Sequence, residues 1–521
     1  MESRSKKSAR NILAGVISKL LLMIMAFAAK TVFIRLLGVE YNGINGLCSN
    51  ILSILALSEL GVGNVLNFSL YSALKDNDRF KVCALVHYFR KIYLIIAAAV
   101  MGAGIALVPV LSHVVNSTLP QNEIITYYLL YLLNSTASYF AVYKTTVIIA
   151  DQNGYISSIC DAVITFVMYG AQIAYLIICR DFFGYLIIQL VSTIIKNVLL
   201  SLVADRMYPY LKKKVYSGEL AEKKQILSNL KATFLYKISG VLLNNTDNIL
   251  ISIIAGTVYV GYYSNYYMLV SYIVAVIGIF ITGFMASLGN LNAENNMESS
   301  YRIFNMLMLI FSFIGGVLVC CFINCMQPFI RIWLGDENVM PFVWVVVIAV
   351  NLYLEEMMNP IWIFRETMGL FRQVRYLLLI TAVLNLLLSV ALGTWLGVPG
   401  ILAATGIAKL ISQYWYEPIV LFSRKFSRSP LFFFTFQAKQ AVSCSAAVII
   451  SFKFCGYIGT GLGGIIIRAL ISCVTALGCV LCFNLKSEAW KELNLRYIIP
   501  CLRKVGNILG TYINLSGKRR G

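Results

Sequence analysis

Long apolar stretches and short polar breaks alternate along the whole chain of 521 residues. Each apolar stretch runs for about 20 residues or more, the length a helix needs to cross a hydrocarbon core of roughly 30 Å. The pattern predicts fourteen spans, at 11–34, 43–70, 86–112, 123–149, 155–179, 182–204, 231–255, 260–289, 303–326, 341–364, 374–395, 398–422, 438–457 and 463–484. None shows the polar–apolar alternation of a lipid-facing barrel strand. The expected fold is therefore an all-α polytopic membrane protein. No break is long enough to hold a soluble domain. The longest, about 205–230, contains the helix-permissive run GELAEKKQILSNLKA and separates six spans from eight.

Composition agrees: 59% of residues are hydrophobic and 13% charged, where soluble chains carry about 25% charge. The net charge of +20 would suggest nucleic acid on a soluble domain. Here it gathers in alternate loops, so no nucleic-acid partner is expected. With a cytoplasmic N-terminus, an even span count returns the C-terminus to the cytoplasm. The cytoplasmic segments then include KDNDRFK (75–81), the stretch with Lys212, Lys213 and Lys214, the 365–375 loop with Arg365, Arg372 and Arg375, SRKFSR (423–428) and the tail ending GKRRG. The opposite loops hold little beyond Arg35, Arg180 and Arg331. That is the positive-inside pattern. The basic start MESRSKKSAR leads into a run without a small-residue cleavage site, which reads as a retained first span.

The chemistry available is narrow. The thirteen cysteines read as small packing residues rather than as disulfides or metal ligands. The only histidines, His87 and His113, lie in different segments, which argues against a histidine metal site or a catalytic triad. No GxxxxGK[ST] loop is present, so no ATPase is expected.

A faint repeat links the two parts. GVEYNG begins at Gly38 and GTVYVG at Gly256, so that Gly38, Tyr41 and Gly43 match Gly256, Tyr259 and Gly261 at one constant offset. Each copy follows the first span of its part. This predicts a duplicated bundle, a plan common among transporters.

Ionisable residues inside spans are costly and mark functional candidates. Lys19 and Lys30 are eleven residues apart in the first span, about three helical turns, and share a face. Glu59 lies in the second span beside Gly61 and Gly63, Lys144 in the fourth and Lys196 in the sixth. The seventh span, KISGVLLNNTDNILIS, carries Lys237, Asn244 and Asn248 on one stripe, with Asp247 one face over. Glu355 and Glu356 occupy the tenth span, Lys409 and Glu417 the twelfth. Lys196, Lys453 and Arg468 read as snorkelling cations, and Glu417 as lying near the cytoplasmic surface. The remaining lysines suit an anion in low dielectric, and lysine binds phosphate as a flexible point charge. Asp247 either fixes helix packing with a lysine or serves in charge balance or coupling.

The run IRLLGVEYNGINGLCSNILSILALSELGVGNVLNFSLYSALKDND (34–78) resembles the start of bacterial polysaccharide flippases of the Wzx type. TDNILISIIAGTVYVGYYSNY (246–266) and PFIRIWLG (328–335) resemble later segments of the same family, within the multidrug/oligosaccharidyl-lipid/polysaccharide exporter superfamily. The resemblance implies two pseudo-symmetric six-helix lobes around a central cavity, at 1–204 and 231–423. A basic cytoplasmic linker at 205–230 would join them, and two extra helices and a basic tail (424–521) would follow. It implies alternating access in a bacterial cytoplasmic membrane, moving undecaprenyl-diphosphate-linked oligosaccharide to the outer leaflet for cell-surface polysaccharide assembly. Membrane lipids, a polysaccharide polymerase and glycosyltransferases are the expected partners. The cargo-binding set is Lys19, Lys30, Lys144, Lys237, Asn244, Asn248 and Lys409. The coupling or charge-balancing set is Glu59, Asp247, Glu355 and Glu356. No bound cofactor or metal is expected, beyond a coupling H+ or Na+.

A cation-coupled multidrug exporter of the same superfamily is the alternative, which the lysines disfavour. A membrane glycan polymerase or ligase is less expected still. The opposite-side loops, such as SHVVNSTLPQNE (112–123), are short, and the carboxylates sit within helices. The chain is not expected to be an enzyme.

Overall fold

The computed structural model describes the backbone of residues 4–56, 62–212, 223–293, 297–374 and 376–495. Side chains are described there except at 4–18, 223–225, 227–237, 244, 283, 286, 287, 289–293, 371 and 372. The described chain is helical throughout. In order come α1 (Arg4–Leu37), α2 (Val39–Leu55), α3 (Val62–Lys75), α4 (Arg79–Ala106), α5 (Leu111–Val114), α6 (Gln121–Ser138), α7 (Val142–Ala150), α8 (Gly154–Cys179), α9 (Phe182–Met207) and α10 (Lys223–Ile254). Then follow α11 (Thr257–Ala293), α12 (Met297–Leu334), α13 (Phe342–Thr367), α14 (Phe371–Val374), α15 (Leu377–Leu396), α16 (Val398–Ile411), α17 (Gln413–Leu421), α18 (Leu431–Cys455), α19 (Leu462–Asn484) and α20 (Glu488–Leu493).

Ten described helical stretches are long and apolar enough to cross a membrane, and the chain is a multi-pass membrane protein. The expected spans 43–70, 123–149 and 398–422 each divide between two shorter helices: α2 and α3, α6 and α7, α16 and α17. The expected span 231–255 falls on α10, whose shorter apolar stretch is Ile238–Ile254. A hydropathy average passes over such breaks because side chains on both sides remain apolar.

Chain contacts divide the structure into two units. Unit 1 holds Met1–Ala275, Trp333–Asn338 and Arg375–Ala408; unit 2 holds Val276–Ile332, Val339–Val374 and Lys409–Gly521.

In unit 1, side-chain caps start two helices. The Asp78 carboxylate accepts from the Lys81 amide at the start of α4, and Asp181 accepts from the Phe183 and Gly184 amides at the start of α9. One aromatic cluster gathers Phe33, Tyr41, Tyr127 and Tyr185 around Phe182, with ring centroids 4.7–6.0 Å from that ring. The WLG turn of PFIRIWLG seats on α1. Trp333 stacks on Phe27 at 4.6 Å and donates its indole N–H to the Thr31 hydroxyl at 2.7 Å.

In unit 2, Phe304, Phe364, Phe422 and Phe426 pack edge to face or tilted, at 5.4–5.8 Å. Elsewhere Asn324 Nδ2 reaches Ser451 at 2.9 Å and Ser472 at 3.0 Å, which ties α12 to α18 and α19. Cys320, Ala447 and Ala476 are fully buried beside them. Small residues and inter-helix hydrogen bonds are the usual means of helix association in lipid, where apolar burial gains little.

Candidate functional site

The repeat seen in the sequence is physical. Gly38 separates α1 from α2 at φ 92°, and Gly256 separates α10 from α11 at φ 117°. Both breaks use the left-handed region that side chains avoid. The next pair meets directly. A Cβ on Gly43 would lie 2.0 Å from the Thr257 carbonyl oxygen, and a Cβ on Gly261 would lie 2.1 Å from that of Val39. The repeat that relates Gly43 to Gly261 also relates Val39 to Thr257, so the contact is reciprocal, as across a two-fold axis. Glycine here lets the α2 and α11 backbones touch.

The 114–119 segment closes over this contact. Glu40 accepts from the Ser117 hydroxyl at 2.7 Å and from the Thr118 amide at 2.7 Å. The Thr257 amide donates to the Asn116 carbonyl at 2.9 Å, and the Ser252 hydroxyl to that of Val114 at 2.7 Å. Partial burial raises the Glu40 pKa, but the Ser117 and Thr118 hydrogen bonds outweigh it and hold the carboxyl below its ordinary value.

Lys30 lies beside this junction. Its ammonium donates to the Asn42 side-chain oxygen. Asn42 passes the connection to α11, donating to the Gly261 carbonyl at 2.8 Å and to Asn265 Oδ1 at 2.9 Å. Both asparagines are fully buried. Among the described residues no carboxylate lies within ion-pair distance of Lys30. A cation in a span held only by an amide chain favours an anion nearby. Lys19 is exposed on α1.

Asp247 belongs to a second polar cluster in unit 1. Its Oδ2 lies 3.1 Å from the Thr405 hydroxyl, which also lies 3.2 Å from Asn385 Oδ1. Ser389 donates to that same oxygen at 3.3 Å. The single Thr405 proton serves only one of two acceptors. The cluster therefore presents carboxylate, amide and hydroxyl oxygens from α10, α15 and α16, the donor set of a hard cation. Beside it, Asn248 Oδ1 is buried without a hydrogen-bond partner among the described residues.

The other sequence candidates are apart from these. Lys144 pairs with Asp205 at 2.7 Å and donates to Ser201 at 2.8 Å. Lys409 lies 3.7 Å from Glu355 in unit 2. Glu356, nearly fully buried, accepts from Asn359 at 2.9 Å. Glu59 and the side chains of Lys237 and Asn244 lie outside the described residues.

Outside those sets, one placement changes and three residues gain partners. Glu417 is buried, and both its oxygens lie 3.0 Å from Arg365. Arg365 belongs to the last turn of α13 and not to a loop. Arg468 donates to the Ile458 carbonyl at 2.5 Å, and Lys196 pairs with Asp161 at 3.0 Å.

Asn42, Asn265, Asn385, Ser389 and Thr405 were not among the sequence candidates. One signal was available. Along α15, Thr381, Asn385 and Ser389 recur every fourth residue, forming a polar stripe in an otherwise leucine-rich helix.

No protein-family model and no curated protein matches the sequence. Solved structures do match the fold. The lipid II flippase MurJ, in an inward closed conformation, superposes with a TM-score of 0.69 at 14% identity, over 90% of this chain and 98% of its own. The MATE multidrug transporter DinF-BH gives 0.58 at 16% identity, over 80% and 95%. An inward-facing MATE multidrug-resistance transporter of the MOP superfamily gives 0.52 at 15%, over 76% and 93%. The chain shares its fold with the MurJ flippase and the MATE transporters of the MOP superfamily.

Proposed function

We propose that the chain is a flippase. It would move undecaprenyl-diphosphate-linked oligosaccharide units from the inner to the outer leaflet of a bacterial cytoplasmic membrane, for assembly of surface polysaccharide. The observation that carries this reading is Lys30, an intramembrane cation with no described carboxylate partner, hydrogen-bonded into the repeat contact. The fold likeness to a lipid II flippase supports it.

In this reading Lys19 and Lys30 neutralise the diphosphate, while the polyprenyl tail stays in lipid. The α2–α11 contact closes one route and must part for cargo to leave by it. Asp247, Asn385, Ser389 and Thr405 would hold the coupling H+ or Na+, so that ion binding and contact opening are linked through α10 and α11. Replacing Lys19 and Lys30 together with glutamine tests the cation role. Glycan export should fall at least roughly ten-fold, as expected for losing charge-assisted phosphate contacts. Unchanged export would remove the basis of the reading.

A cation-coupled multidrug exporter is the second reading, favoured by the Asp247 oxygen cluster and the likeness to MATE transporters. It predicts cationic-drug resistance in a sensitive host that depends on Asp247 and not on Lys30.

A further inference from the structure

A cavity of about 320 Å³ opens in unit 1 away from Lys30 and Asp247, lined by His87 and Arg90 of α4, Lys144 of α7, Asp205 of α9, and Lys212. We infer that this cavity binds a phosphate monoester, carried by a lipid headgroup or by a soluble molecule.

Charge is the first argument. Lys144 and Asp205 neutralise each other across 2.7 Å, and Ser201 fixes the lysine at 2.8 Å. Arg90 and Lys212 are exposed at the rim, and neither has an ion-pair partner among the described residues. Among the described residues the cavity therefore carries two uncompensated positive charges. A phosphate monoester carries about −1.5 to −2 near neutral pH, whereas a diester, with one ionisable oxygen, carries about −1. Arg90 supplies the planar fork suited to two phosphate oxygens, and Lys212 the point charge.

Hydrogen bonding is the second argument. His87 Nδ1 lies 2.9 Å from the Cys83 carbonyl, so Nδ1 carries the proton donated to it. That leaves Nε2 as the ring's other hydrogen-bonding atom, on a side chain that lines the cavity.

Position is the third. The charges of α4, Arg79, Lys81, Arg90 and Lys91, all precede an uncharged run from Ile92 to Ala106. Arg90 thus marks where polar surface gives way to hydrocarbon, the depth of lipid phosphates. The volume suits a headgroup or a small phosphorylated molecule, at the lower end of small-ligand sites.

The test uses the purified full chain in nanodiscs of phosphatidylcholine. Binding is measured for phosphatidic acid by native mass spectrometry, for glycerol 3-phosphate by calorimetry, and for phosphatidylglycerol as the diester control. We expect saturable binding of phosphatidic acid, of glycerol 3-phosphate or of both, and weaker binding of phosphatidylglycerol. Whichever monoester binds identifies the source. The double variant Arg90→Gln/Lys212→Gln should lose roughly ten-fold or more in affinity, while Lys91→Gln, next to Arg90 but outside the cavity, should not. Asp205→Asn frees the Lys144 charge and should tighten binding several-fold, a gain that misfolding cannot produce. No saturable monoester binding, a diester bound equally well, equal losses in Lys91→Gln and the double variant, or no gain in Asp205→Asn would each overturn the assignment.

Discussion

The Gly43–Gly261 contact supports a quantitative prediction. In Gly43→Ala the new methyl would sit 2.0 Å from the Thr257 carbonyl oxygen, and in Gly261→Ala 2.1 Å from that of Val39. Real Cβ atoms essentially never approach closer than 3.0 Å, so α2 and α11 must separate by about 1 Å. The nearest obstructing atoms are backbone carbonyl oxygens, which cannot rotate away. Overpacking of this kind costs about 1–3 kcal/mol. If the contact exists in one transport state and not the other, the cost falls on one state alone. The population ratio then shifts by roughly 5- to 150-fold. Ser264 reports on it, because it faces Gly46 of α2 one turn further along. In a variant whose native cysteines are replaced, Ser264→Cys should react slowly with a membrane-impermeant thiol reagent. Adding Gly43→Ala or Gly261→Ala should each raise the rate about ten-fold or more. Equal rates with and without the alanines would refute the view that this contact opens.

Four further outcomes follow from the same geometry. Arg365→Met strands Glu417 in a buried site and should lower stability by about 3–5 kcal/mol, whereas Arg365→Met/Glu417→Gln should recover most of that in thermal unfolding in detergent. Asp247→Asn and Asn385→Leu should each abolish the dependence of transport on an imposed H+ or Na+ gradient in proteoliposomes; a dependence that persists in both would limit the cluster to packing. Lys30→Met leaves the Asn42 oxygen buried without its donor and should cost about 1–3 kcal/mol of stability in thermal unfolding, so its export must be compared with that of Lys30→Gln, whose neutral amide can still donate. Glu40 has a folded pKa below its ordinary value of 4.5. Its contribution is therefore present above that value and lost as pH falls through the lowered one, so acidification below about pH 4.5 should loosen the 114–119 segment in hydrogen exchange. Glu40→Gln should remove that pH dependence.

How much of this was legible depends on range along the chain. The GVEYNG and GTVYVG copies could be matched by eye, because glycine at a left-handed break and glycine at a backbone contact are irreplaceable locally. What the copies do to each other could not be read, since Gly43 and Gly261 meet only after folding. Lys30 was visible as an anomaly in an apolar run, but its partner Asn42 was not, as asparagine in a glycine-rich segment carries no signature. The Asn385–Ser389 stripe carries no charge to mark it, although its four-residue period is present in the sequence. His87 and His113 lie in different segments, which argues against a histidine metal site but does not bear on an anion site. Arg365 was placed in a loop because helix ends are uncertain by a turn, and that one turn hid its pair with Glu417.

The central claim is translocation of a lipid-linked diphosphate driven through the Lys30 junction. Its most direct test is flipping of a fluorescent undecaprenyl-diphosphate oligosaccharide in proteoliposomes, read as loss of protection from a membrane-impermeant glycosidase. The account predicts flipping by the native chain and a loss of at least roughly ten-fold in Lys19→Gln/Lys30→Gln. No flipping by the native chain under an imposed H+ or Na+ gradient, together with uptake of a cationic dye by the same vesicles, would contradict it.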